Sequence, residues 1–148
     1  MLRATKIQRQ ESDPLDTVTL AYDDRFRRRI RLVCDGGLEV LLDLEKTTEL
    51  KEGDDLLLEN GNHIRVRAAN EPLMSVFGSS HHHLLRLTWH VGNRHLPCEV
   101  HEDHLLLRQD HVIEHMLEHL GAEVKHVNAP FNPEGGAYGQ GRTHSHEH

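Results

Sequence analysis

The stretch LPCEVHEDHLLLRQDHVIEHMLEHLGAEVKHV, Leu96–Val127, decides the fold. LPCEV and HLLLR are strand-like runs, and Glu102-Asp103 between them supplies a tight turn. Asp110 is a natural N-cap for a helix that runs to Leu120 before Gly121. Val112, Ile113, Met116, Leu117 and Leu120 form its apolar face. EVKHV then reads as a further strand. Upstream, LMSVF (73–77) reads as a buried strand, and Gly78-Ser79-Ser80 offers a turn and an N-cap. A second helix is predicted from about His81 to Val91, with Leu84, Leu87, Thr88 and Val91 on one side, Leu85 and Trp89 at its edge, and Gly92 as its C-cap. The order strand, helix, strand, strand, helix, strand is the split βαβ, or ferredoxin-like, arrangement.

The first half reads as β. KIQRQ, TVTLAY, RRRIRLVC and GLEVLLDL are short strand-like runs between turn residues. Asp35-Gly36-Gly37 marks one hairpin, and Asn60-Gly61 supplies positive φ for another, between Leu56–Glu59 and His63–Ala69. The expected architecture is α+β in three parts. Residues 1–71 form a small β-rich domain suited to partner docking. Residues 72–132 form a ferredoxin-like metal-binding and dimerisation domain. Residues 133–148 form a disordered, histidine-containing tail.

Composition narrows function. A formal net charge of −7 in 148 residues argues against a nucleic-acid partner, and 4% aromatic residues leave few stacking platforms. There is no signal-peptide pattern and no apolar run of membrane-spanning length, so a cytoplasmic protein is expected. Cys34 and Cys98 form no CxxC pair and read as free thiols. Histidine is the outlier: 15 residues, of which only His63 precedes His81. Neutral imidazoles ligate metal ions, so affinity should fall as pH drops through about 6.5, the ordinary histidine value.

Several histidine groupings stand out. His111, His115 and His119 recur at i, i+4, i+8, which places them on one helix face. That stripe is either a solvated surface or a metal-chelating one. Within it, His115-Glu118-His119 matches the H-x-x-E-H pattern of zinc peptidases, which would make a small zinc hydrolase, although short motifs recur by chance. His81–His83 reads as a solvated turn, because the partial positive charge of a helix N-terminus disfavours cations. His101 and His104 flank the hairpin turn and suggest a loose chelate. The tail GRTHSHEH (141–148) carries His144, His146 and His148 in alternation rather than as an unbroken purification tag. The basic run RFRRRIR (25–31) reads as a solvated strand face or a dock for an acidic partner. His95, in HVGNRH (90–95), sits just past a helix end. Alone it cannot build a tight site, but a two-fold axis would supply its mate.

HVGNRH with the following LP, RQDHVIEHMLEHLGAEV (108–124) and APFNPEGGAYG (129–139) together resemble the UreE family of urease accessory proteins, with RRRIRL and LKEGDDLLLENG as further matches. The resemblance covers nearly the whole chain. It implies a non-enzymatic nickel metallochaperone, a homodimer paired through the second domain, and Ni(II) held by His95 and its symmetry mate. Some members carry a peripheral His-Asp-His at the start of the second helix. Here the matching residues are Gln109, Asp110 and His111, which leaves His111 to contribute alone. The tail histidines His144, His146 and His148 would add imidazoles to the central ion. Zn(II) or Cu(II) would compete, copper by the usual affinity order. The implied partners are a urease accessory GTPase and the complex that loads apo-urease. The alternative is a generic histidine-based nickel or zinc buffer.

Overall fold

The computed structural model describes residues 1–137. The chain forms two compact units, Met1–Ala69 and a second from Asn70 onward.

The first unit contains β1 (Leu2–Ile7), β2 (Asp16–Leu20), a short 3-10 turn (Tyr22–Asp24), β3 (Phe26–Val33), β4 (Glu39–Glu49), β5 (Asp55–Leu58) and β6 (His63–Ala68). They make a six-stranded sheet in the order β2-β6-β5-β1-β4-β3. Both predicted hairpins form, each through a three-residue loop. Cys34 N–H bonds Leu38 O at 2.8 Å and Leu58 N–H bonds Asn62 O at 2.8 Å. In each loop one glycine, Gly37 (φ 98°) or Gly61 (φ 91°), takes the left-handed position that such loops require. Asn60 keeps negative φ, so Gly61 alone meets that requirement. Alternation buries Val40, Leu42 and Leu44 from β4 with Ala4, Val18, Leu56, Ile64 and Val66 in one apolar core. Three of the four arginines of β3 are ion-paired, Arg27 with Asp24 at 3.2 Å, Arg29 with Asp43 at 3.7 Å, and Arg31 with Glu39, while Arg28 donates to Leu44 O at 3.5 Å. That neutralisation makes this strand a weaker dock for an acidic partner than its sequence suggests.

The second unit contains β7 (Asn70–Phe77), α1 (His81–Asn93), β8 (Glu99–Val100), β9 (Leu105–Arg108), α2 (His111–His119) and β10 (Glu123–Pro130). Its sheet runs β10-β7-β9-β8, with every pairing antiparallel. This is the ferredoxin-like order, as expected. Met74, Val76, Leu105 and Leu107 from the sheet bury against Leu84, Leu87 and Val91 of α1 and Leu117 of α2. Ser80 caps α1 by accepting from His83 N–H, and Asp110 caps α2 by accepting from Val112 and Ile113 N–H.

Three expectations need correction. Gly92 does not end α1; the helix continues to Asn93 with Arg94 as its C-cap. The histidines at 81–83 are not all solvated. His83 Nδ1 accepts from Ser79 N–H at 2.8 Å, and its Nε2 lies 2.8 Å from Leu120 O. The ring therefore donates from Nε2 and ties the start of α1 to the end of α2. Finally, the polar stretch from Pro133 does not leave the fold at once. Phe131 is fully buried, and Glu134 N–H donates to Cys98 O at 2.9 Å.

Candidate metal centre

The end of α1 presents the candidate residue His95. His95 N–H bonds Gly92 O at 3.0 Å and Leu96 N–H bonds Val91 O at 3.4 Å. These crossed bonds form a Schellman turn, whose left-handed residue is usually glycine. Here it is His95, at φ 57°, the sole non-glycine with positive φ among the described residues. α2 ends in the same way, with Gly121 N–H on Glu118 O at 2.9 Å and Ala122 N–H on Leu117 O at 3.0 Å. That turn places Gly121 at the left-handed position, φ 91°. A side chain there costs about 1–2 kcal/mol. His95 carries this cost while exposed, and its imidazole has no hydrogen-bond partner among the described residues. Leu96 packs back against the core, and Pro97 stops the helix, so backbone and apolar contacts hold the turn while the imidazole projects free.

The chain beyond β10 returns to this place. Asn132 N–H donates to Glu99 Oε1 at 2.7 Å, and Glu134 is held at Cys98. Cys98 is not a rival ligand in its resting form. Burial, then the charges of Glu134 and Glu99, push its thiol up to about 12, whereas ligation needs the thiolate. Leu96, Pro97, Leu107, Gln109, Asp110 and Ile113 line a cleft of about 250 Å³. Its rims are the neighbours of His95 and of His111.

Of the expected ligands, His111 lies exposed in the first turn of α2. Its neighbours have other duties: Gln109 Nε2 donates to Leu73 O at 3.2 Å, and Asp110 caps the helix. His144, His146 and His148 lie outside the described residues. Among those described, no three His, Cys, Asp or Glu residues are placed to hold one ion. His115, Glu118 and His119 are all exposed on α2, so the zinc-peptidase pattern gains no third ligand there. His101 and His104 are not a chelate as they stand. Their rings stack at 4.4 Å with planes 7° apart. Imidazole lone pairs lie in the ring plane, so parallel stacked rings cannot aim at one ion. Each ring instead meets a carboxylate at 2.6 Å, His101 with Glu99 and His104 with Asp103. His126 is likewise taken by Glu114 at 2.6 Å.

The sequence singles out His95 but does not show its backbone conformation, the clasp made by His83, or the anchor at Phe131 and Glu134. Pro97 is the signal for the first, since a helix rarely continues into a proline.

Comparison with known proteins agrees with this layout. The family model described as the UreE urease accessory protein N-terminal domain matches residues 2–69, and that of the C-terminal domain matches residues 71–148. A urease accessory protein UreE from Chelativorans sp. is 51% identical over 147 residues, covering 99% of this chain and 91% of the relative. One from Ruegeria sp. is 53% identical over 134 residues, covering 90% and 74%. One from Paracoccus denitrificans is 50% identical over 139 residues, covering 93% and 87%. These relatives are named as accessory proteins, not enzymes. The chain belongs to the UreE urease accessory protein family.

Proposed function

We propose that this chain binds Ni(II) and delivers it during assembly of the urease active site. It acts as a homodimer in which His95 and its symmetry mate hold the ion. The carrying observation is His95 itself, an exposed imidazole without a structural partner, kept in a conformation that glycine would adopt more cheaply. One imidazole is too few for tight binding, and no three-ligand group stands elsewhere among the described residues. A two-fold axis doubles the count at no cost in sequence. Leu85 and Trp89, one turn apart on α1, are 55% and 63% exposed, and apolar surface of this kind favours association with a second copy.

Auxiliary imidazoles come from His111 and from His144, His146 and His148. Glu134 is tied to Cys98, three residues beyond His95, and His144 follows Glu134 by ten residues. An extended chain covers about 3.3–3.6 Å per residue, so that length suffices to reach the paired site. A site of exchangeable imidazoles on the surface opens without unfolding a core, which suits delivery. Imidazole alone does not select nickel over copper or zinc, so selectivity rests on geometry and supply. The recipient is a urease accessory GTPase within the complex that loads apo-urease, with the first unit as the docking domain. The protein works in the cytoplasm.

The test is activation of apo-urease in a reconstituted assembly, using the nickel-loaded wild type, His95→Gln and Glu118→Gln. Delivery through His95 predicts failure of His95→Gln alone. A generic buffer would lose activation in proportion to the histidines removed, whichever they are.

A further inference from the structure

We infer that His115 and His119 form a second metal site, a two-imidazole chelate on the exposed face of α2 that takes one divalent transition ion per chain. The inference stands on helix geometry and does not depend on the reading of His95.

Sorting the described histidines by their partners isolates this pair. His63 is buried with Nε2 3.2 Å from Ser12 O. His83 clasps the two helices. His101, His104 and His126 each contact a carboxylate. His90 lies edge-on to Trp89. His81 and His82 are adjacent in sequence, so their side chains diverge around the helix. Besides His95, already assigned above, His111, His115 and His119 remain, all exposed and without hydrogen-bond partners among the described residues. They lie within α2, His111–His119, which is helical throughout. Residues four apart on a helix have Cβ atoms about 5–6 Å apart on one face. Both imidazoles can therefore turn toward a common ion, unlike the stacked pair at His101 and His104.

Two pairs share this spacing, and the helix dipole separates them. His111 sits in the first turn, where the partial positive charge disfavours a chelated cation, so it is left to its auxiliary role at the paired site. His119 is the last helical residue, at the negative end, where a cation is favoured. Glu118 adds charge on the same side. Glu114 does not compete, because its carboxylate is engaged by His126. No third protein ligand joins, which agrees with the absence of any three-ligand group among the described residues. Water completes the coordination, so the ion is held more loosely than in a closed site and exchanges readily. Two imidazoles suit Cu(II), Ni(II) and Zn(II), in falling order from copper.

The test uses Ni(II) and the full chain carrying His95→Gln, His111→Gln, His144→Gln, His146→Gln and His148→Gln, which silences the site of the proposed function. Calorimetric titration should still show one weakly bound ion per chain. Adding either His115→Gln or His119→Gln should remove it, and both together should do no more than one, because a chelate fails when either arm is lost. A background that binds no nickel, or losses that add in halves, would overturn the proposal. Paramagnetic broadening by Ni(II) in the wild type is a check that needs no variant. The ring resonances of His115 and His119 should broaden together, and broadening of one without the other would equally count against the chelate.

Discussion

His95 and Gly121 occupy the same position in the two turns that end α1 and α2. Each donates its N–H across the turn, at 3.0 Å to Gly92 O and 2.9 Å to Glu118 O, and each has positive φ. One turn uses the residue that the geometry favours. The other uses a histidine, and its imidazole is left free for chemistry.

His95→Gly should therefore stabilise the fold. Relief of the left-handed conformation returns about 1–2 kcal/mol. The larger freedom of glycine in the unfolded chain takes back about 0.4–1 kcal/mol. A net gain of roughly 0.5–1 kcal/mol should appear as a higher midpoint in metal-free thermal unfolding. His95→Ala keeps the strain and should show no such gain.

Gly121→Ala should act in the opposite sense. It places a side chain at φ 91°, with its Cβ 3.4 Å from the His83 ring. The expected cost is about 1–2 kcal/mol, read from denaturant midpoints. The same variant should loosen the His83 clasp on Leu120 O, seen as faster amide exchange at Ser79.

Neither thiol should be reactive at pH 8. Burial, followed by the charges of Asp16 and Asp35, pushes Cys34 up to about 11. Cys98 stands at about 12 for the causes given above. Since the thiolate is the nucleophile, a disulfide reagent should modify both slowly in the folded protein and quickly in denaturant.

Acid should weaken the first unit through Asp55. Burial raises its carboxyl, but the hydrogen bond and charge of Arg65, the Gln10 N–H and His63 outweigh that and leave it below the usual carboxylate range. Arg65 Nε donates to Asp55 Oδ1 at 2.9 Å. As pH falls, the unfolded chain takes up this proton first. The stabilisation is thus complete above about 3.9, the ordinary aspartate value, and is lost as pH falls through the lower folded value. Asp55→Asn should lower stability at pH 7 and flatten the acid limb of stability against pH.

Much of the second unit is legible in the sequence because its signals are local. Asp110 and Gly121 bracket α2 by side-chain and backbone chemistry that needs no tertiary context. The apolar runs LLLR and LMSVF place strands for the same reason. Gly92 misleads because glycine is the usual helix terminator, while the actual stop is set by Leu96 packing onto the core and by Pro97. The fates of His83, His101 and His104 depend on partners brought close by folding, so spacing alone misassigns them. The proposed pairing of His95 needs a second chain, which a single sequence does not display.

The metal stoichiometry at His95 tests the proposed nickel site most directly. The measurement is a nickel titration of wild type and His95→Gly side by side, with dimer concentration known. His95→Gly is the informative variant because it favours the same turn. The tightest step, near one ion per dimer, should disappear in a protein that folds as well or better. An unchanged tight step would place the primary site elsewhere and contradict the account.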